Sequence, residues 1–199
     1  MSAPRRKVAI FASGGGSNAQ ALLDAMKDPL YPAEAVLLFS NKAGAHALER
    51  GRRMGVTTLA LDPKGYASRE EFDQALVSIL RNLKVDILCF AGYMRIVTPV
   101  LVQAFAGRIL NVHPALLPKF GGPGMYGHHV HEAVIQAKEA ESGATVHQVT
   151  EGVDEGEILS QARVKVLPTD SAESLAARVL EQEHLIYPQA LRQFCEKIG

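Results

Sequence analysis

Net charge, long apolar runs and cysteine are all scarce in this chain, and each shortage excludes something. Lys and Arg together number 21 and so do Asp and Glu, which leaves a formal charge of zero. A balanced chain carries no electrostatic footprint for nucleic acid or for an acidic membrane surface. The cations Arg5, Arg6 and Lys7 in "PRRK" read as a solvated start before a strand. The "VAIFA" that follows is too short for a secretory h-region and runs into "SGGGS". No stretch approaches the roughly 18 apolar residues of a membrane span. The two cysteines, Cys89 and Cys195, form no metal or redox motif, and Cys89 in "DILCFAG" reads as a small buried hydrophobe. A reducing cytoplasm is the expected location. Repeats, low-complexity tracts and linkers are missing too, so residues 1–199 are expected to form a single domain.

What is present is alternation. Apolar runs at 7–12, 33–41, 56–61, 85–92 and 108–113 alternate with segments of helical spacing. "REEFDQALVSILRNL" (69–83) gathers Phe72, Leu76, Ile79, Leu80 and Leu83 on one side. Thr98 is placed to cap the next helix, with Pro99 at its first position. The pattern predicts an α/β fold: a Rossmann-like, mostly parallel twisted sheet with helices on both faces, built from residues 1–112. Residues 113–199 should form a smaller part that completes the site. There, a Pro- and Gly-rich loop precedes a short helix at "HHVHEAVIQAKEA". Two strands, "ATVHQVT" and "EILSQARVKV", are joined by the turn "EGVDEGE". A long final helix follows. Asp170 and Glu173 suggest a capping box at its start, and Pro188 should kink or divide it.

The chemistry should lie beyond the carboxyl ends of the parallel strands. "GRILNVHPALLPKF" ends an apolar strand on Asn111 and His113, two residues apart and therefore on one face. That is either an ordinary strand end with a satisfied histidine, or an amide donor for an oxyanion beside an imidazole that moves protons. With no Ser or Cys nucleophile beside them, direct transfer between two bound substrates is more natural than a covalent intermediate. "SGGGSNAQ" joins the first strand to the first helix, where free N–H groups suit a phosphate. Gly14, Gly16 and Ala19 also fit a dinucleotide fingerprint, but the second strand ends in "FSNKAG" without an acid. An NADP site using Lys42 therefore stays open, as does a merely tight turn. The acidic turn offers Glu151, Asp154, Glu155 and Glu157. These are solvated, or one of them reaches His113 and raises its pKa. His128, His129 and His131 fit surface or loop packing, or a substrate lid, better than a metal site. In "AGYMRIV", Arg95 is either simply exposed or part of a turn against which a flat apolar ligand slots.

Together these residues resemble the folate-dependent formyltransferases, and among them the glycinamide ribonucleotide formyltransferases of purine synthesis. The resemblance spans nearly the whole chain: "SGGGSN", "FSNKAGAHALERG", "SREEFD", "AGYMRIVTP", "GRILNVHPALLPKF", "GATVHQVTEGVDEGEIL" and "EQEHLIYP". It implies that Gly16, Ser17 and Asn18 hold the ribonucleotide phosphate and that Glu183 binds the ribose. It implies a folate site at Arg69, at Met94, Arg95, Ile96 and Val97, and at Asn111. It makes Asn111, His113 and Asp154 the catalytic trio, with Asp154 keeping His113 protonated, and 10-formyltetrahydrofolate the co-substrate, with no metal. Monomer and homodimer both stay open. The segment 121–142 is longer than in short family members, which leaves its histidines without an implied role. Competing readings are a formyl-folate hydrolase, which usually carries an extra N-terminal regulatory domain, an NADP-binding reductase, and a non-enzymatic nucleotide-binding module.

Overall fold

The computed structural model describes residues 4–198. The chain runs β1 (Arg6–Phe11), α1 (Ser17–Ala25), β2 (Ala33–Ser40), α2 (His46–Arg53), β3 (Thr58–Ala60) and α3 (Arg69–Asn82). It continues through β4 (Ile87–Phe90), α4 (Pro99–Ala104), β5 (Ile109–His113), α5 (His128–Gln136), β6 (Glu141–Gln148), β7 (Ile158–Lys165) and α6 (Ala172–Lys197). All seven strands form one sheet in the order β3-β2-β1-β4-β5-β6-β7. Strands β1 to β5 pair in parallel, whereas β6 and β7 are antiparallel additions. The order reverses direction between β1 and β4, and ligands of open α/β sheets bind at such a switch point.

The central strands are apolar on both faces because both faces are covered. Val8 and Ile10 of β1 join the core under α1, α2 and α6, while Ala9 and Phe11 join the core under α3 and α4. β4 divides in the same way, Ile87 and Cys89 to one side and Leu88 and Phe90 to the other. Period-2 alternation of this kind in a buried parallel strand produces the unbroken apolar runs of the sequence. Helix α3 buries Phe72, Leu76, Val77 and Leu80, and Ser68 caps it by accepting from the Glu71 N–H at 3.0 Å.

Four local expectations are corrected. Arg5 and Arg6 are not a solvated start, because Arg5 donates to the carbonyls of Met26, Tyr31 and Ala33 and Arg6 to that of Ile198. Those carbonyls lie at element ends, where acceptors are free. Thr98 stands at the N-cap of α4, but its side chain makes no cap. Its hydroxyl donates instead to the buried Asp73 carboxylate at 2.8 Å. The capping box of α6 is Ser171 with Ser174, not Asp170 with Glu173. Asp170 lies outside the helix and accepts from the Leu167 N–H and from Arg178. Pro188 does not divide α6, which is continuous from Ala172 to Lys197. Packing on both sides outweighs the one backbone donor that proline lacks: Ile186, Tyr187, Ala190 and Leu191 are all buried there.

Helix α6 ties the two halves of the molecule together. The hydroxyl of its fully buried Tyr187 faces the carbonyls of Phe90 (3.1 Å) and Leu110 (3.0 Å), on the two strands that end at the site. Tyr187→Phe leaves both carbonyls without that donor and should cost about 1–3 kcal/mol. Urea unfolding followed by circular dichroism checks this, with a lowered midpoint and an unchanged slope as the expected result.

Candidate active site

Polar side chains collect where β1, β4 and β5 run out. Asn111 and His113 project together from the end of β5 into a cavity of about 490 Å³, as their spacing requires. Strand β6 lies antiparallel beside β5, in a register that sets Asn111 opposite His147 and His113 opposite Thr145. The acidic turn between β6 and β7 then folds back over the same cavity. Gly156 permits this return, since a Cβ there would lie 1.8 Å from the Gln148 carbonyl oxygen.

Of the four carboxylates in that turn, Asp154 reaches the histidines. Its Oδ2 lies 3.5 Å from His113 Nδ1, and its Oδ1 lies 3.5 Å from His147 Nε2. The Gly122 N–H donates to it at 3.0 Å. Burial pushes the Asp154 carboxyl up, but the His147 imidazole, the charge of His113 and the Gly122 N–H outweigh that and hold it below its ordinary range. Asp154 has a left-handed backbone, φ 59°, which Asp tolerates better than most residues.

His113 is held at both ring nitrogens. Its Nε2 lies 2.7 Å from the carbonyl oxygen of Phe120, another left-handed residue. A carbonyl only accepts, so Nε2 carries a proton, while Nδ1 faces the carboxylate. Both contacts favour imidazolium. Burial opposes them and prevails, so the pKa of His113 lies below the ordinary value. This corrects the expectation that a carboxylate partner raises it: Asp154 limits the depression without reversing it.

His147 was not singled out from the sequence, although alternation in "ATVHQVT" puts it on one face with Thr145. Its Nδ1 lies 2.8 Å from the Gln148 carbonyl oxygen and must donate there. A neutral ring therefore accepts at Nε2, and the Asn111 amide nitrogen supplies that hydrogen bond at 3.1 Å. The carboxamide is thereby oriented, with its second N–H free for a ligand. A charged His147 would instead donate to Asp154, because Nε2 can serve only one of the two.

Asn18 and Glu183 form a second buried pair in the same cavity, with the Asn18 amide donating to Glu183 at 2.5 Å. Burial raises the Glu183 carboxyl to about 7, and the Asn18 bond only partly offsets this. Gly16 and Ser17 do not line the cavity but begin α1 beside it. That helix has no side-chain cap and no acid in its first turn, so its N–H groups keep their positive end unneutralised. Gly16 is required here: its φ is 74°, and a Cβ would lie 2.5 Å from that of Ala47.

Met94, Arg95, Ile96 and Val97 line the cavity mouth, with Met94 and Ile96 about half exposed. Arg69 lies outside the lining and donates to the Ile96 carbonyl. The three histidines separate: His131 is buried and lines the cavity, His128 lines it while pairing with Glu173, and His129 packs edge-on to Tyr126. Surface packing thus describes His129 but not His131. Among the described residues no group of three His, Cys, Asp or Glu side chains converges as a metal site requires.

Residues 6–191 match the model of the formyl transferase family. The chain is 41% identical to the phosphoribosylglycinamide formyltransferase of Haemophilus influenzae, over 96% of this chain and 88% of that protein. It is 45% identical over 193 residues to the trifunctional purine biosynthetic protein adenosine-3 of Drosophila pseudoobscura pseudoobscura, of which it spans only 14%. The crystal structure of phosphoribosylglycinamide formyltransferase from Brucella melitensis superposes with a TM-score of 0.90 at 48% identity, covering 96% of each chain.

The raised Glu183 carboxyl has a signed consequence for stability. Below its unfolded value of 4.5 it is protonated in both states, and its stability contribution is lost as pH rises through about 7. Glu183→Gln should escape that loss. Thermal melts should give a Tm gain over the parent that is larger at about pH 8 than at about pH 5, and an equal gain at both would refute burial as the cause.

Proposed function

The chain belongs to the formyl transferase family, and from that premise we propose that it transfers the formyl group of 10-formyltetrahydrofolate to the amine of 5'-phosphoribosylglycinamide, a step of purine biosynthesis. The observation that carries this reading is the convergence of the Asn111 amide, the His113 imidazole and the Asp154 carboxylate in one cavity. Its volume, about 490 Å³, falls within the range of small-molecule sites.

In this reading the phosphate sits at the start of α1, on Gly16, Ser17 and Asn18, where N–H groups and the helix dipole favour an anion. Glu183 binds the ribose. The folate lies against Met94, Arg95, Ile96 and Val97, with Arg69 behind them and Asn111 at its reacting end. The glycyl amine attacks the formyl carbon, a C–N bond forms, and the carbonyl electrons move to oxygen. Asn111, its amide oriented by His147, donates to that oxyanion, and protonated His113 supplies the second donor from Nε2, whose proton must turn from the Phe120 carbonyl to do so. The amine then gives up a proton, the bond to folate N10 breaks, and N10 takes a proton. Asp154 limits the lowering of the His113 pKa by burial and so enlarges the protonated fraction, acting with a water. The reaction is confined to a single domain, residues 1–199, formed from a nucleotide-binding half (1–112) and a half that completes the site (113–199). No helix among the described residues is long and apolar enough to cross a membrane. Two buried, unpaired cysteines suit the reducing cytoplasm we assign to it. A homodimer is compatible with this reading and is not required by it.

A spectrophotometric assay with 5'-phosphoribosylglycinamide and a 10-formyl-dideazafolate tests the proposal. Deformylation should require the ribonucleotide; turnover without it would indicate a hydrolase instead. Asn111→Ala should lower kcat roughly 10²–10³-fold, and His113→Ala roughly 10²–10⁴-fold, with folding intact by circular dichroism. A variant that keeps near-full kcat removes its residue from the mechanism. Asp154→Asn removes the group that pulls the His113 pKa upward. The limb on which rate falls with rising pH should therefore move to lower pH, and an unmoved limb would overturn the role given to Asp154.

A further inference from the structure

Residues 91–98 between β4 and α4 form no helix or strand, yet they hold two large apolar side chains, Met94 and Ile96, at the cavity mouth with relative exposures of 49% and 58%. An irregular segment carrying exposed apolar groups has little hydrophobic reason to stay open. Its backbone is tied at every second residue. The Met94 N–H donates to Ser13 Oγ at 2.9 Å, the Ile96 carbonyl accepts from Arg69, and the Thr98 N–H donates to Asp73 Oδ2 at 2.6 Å. The last two ties come from the first turns of α3. There Arg69, Phe72 and Asp73 have the i, i+3, i+4 spacing of one helix face. The Arg95 guanidinium lies over the Phe72 ring, 4.8 Å from its centroid.

Asp73 is the deepest of these anchors. It is 2% exposed, and its Oδ2 accepts both the Thr98 N–H and the Thr98 hydroxyl at 2.8 Å. Burying a carboxylate is costly unless donors repay it, and here both of those donors belong to the end of the segment. Thr98 is itself buried, so bulk solvent does not reach its N–H and hydroxyl as an alternative partner in the native protein. The Thr98 hydroxyl is also diverted from capping α4.

We propose that Asp73 is a positioning residue for the folate donor, holding residues 94–98 open as a preformed apolar lip while touching neither substrate. The inference rests on the reading of that lip as the folate site. Preformation lowers the ordering cost of binding, so it acts on the affinity of one substrate and not on the chemical step.

Steady-state kinetics with both substrates varied on Asp73→Ala, Asp73→Asn and Thr98→Val provide the test, with deuterium exchange of the 92–98 segment as a second readout. Asp73→Ala should raise KM for the formyl donor about tenfold, with KM for the ribonucleotide and kcat changing less than about twofold. Asp73→Asn keeps an acceptor oxygen and should recover most of the loss. Thr98→Val, which removes only the hydroxyl bond, should shift the donor KM about threefold in the same direction, and it decides the matter if Asp73→Ala fails to fold. Equal rises in both KM values, a fall confined to kcat, or no change would overturn the inference. If the parent transfers no formyl group, the functional reading fails first. Exchange in 92–98 then decides whether Asp73 holds the lip: faster exchange in Asp73→Ala supports it and unchanged exchange overturns it.

Discussion

The antiparallel pairing of β5 with β6 is the constraint on which the rest of the site depends. It sets Asn111 beside His147 and delivers the acidic turn to His113. A slip of one residue would turn Asn111 and His113 to the opposite face of the sheet, into the core under α6, where Leu110 and Val112 now lie. The register resists slipping because both alternatives are costly, one by burying polar groups in an apolar core and the other by exposing leucine and valine. Tyr187 adds a tie from behind, across the carbonyls of β4 and β5.

Around that register the protein maintains charges that burial disfavours. His113 is pulled toward imidazolium by a carboxylate and a carbonyl and toward neutrality by desolvation, and desolvation has the larger effect. Asp154, half-buried, ends below its ordinary range, and Glu183, buried, ends well above it. Glu183 is the more deeply buried, and the neighbours differ as well: two imidazoles and a backbone N–H for Asp154, one neutral amide for Glu183. One environment thus keeps a carboxylate charged near neutral pH and the other leaves a carboxyl near its midpoint, a separation of the kind that functional sites exploit. The left-handed backbones of Phe120 and Asp154, which contact opposite nitrogens of His113, fit the same picture of local strain tolerated at a site.

Much of the fold was legible because it rests on periodicity. Alternating apolar runs and helical segments specify a parallel sheet covered on both faces, and the structure has that sheet. The misreadings were local competitions. Thr98 had two uses for its hydroxyl, and the buried Asp73 took it. Asp170 and Ser171 were both able to cap α6, and Ser171 with Ser174 formed the box. Arg5 found backbone carbonyls that a linear reading cannot see.

The sequence by itself determined the fold class, the shared face of Asn111 and His113, and, through resemblance, Asp154 as the carboxylate to choose among four. Strand alternation and turn chemistry are local properties, so they survive in one dimension. Only the tertiary structure decided the strand order, the place of His147 against the Asn111 amide, the separation of the three clustered histidines, and the direction in which His113 is shifted. Each of these depends on which distant segments share a desolvated volume, and the balance of burial against neighbouring charge has no value until those neighbours are in place.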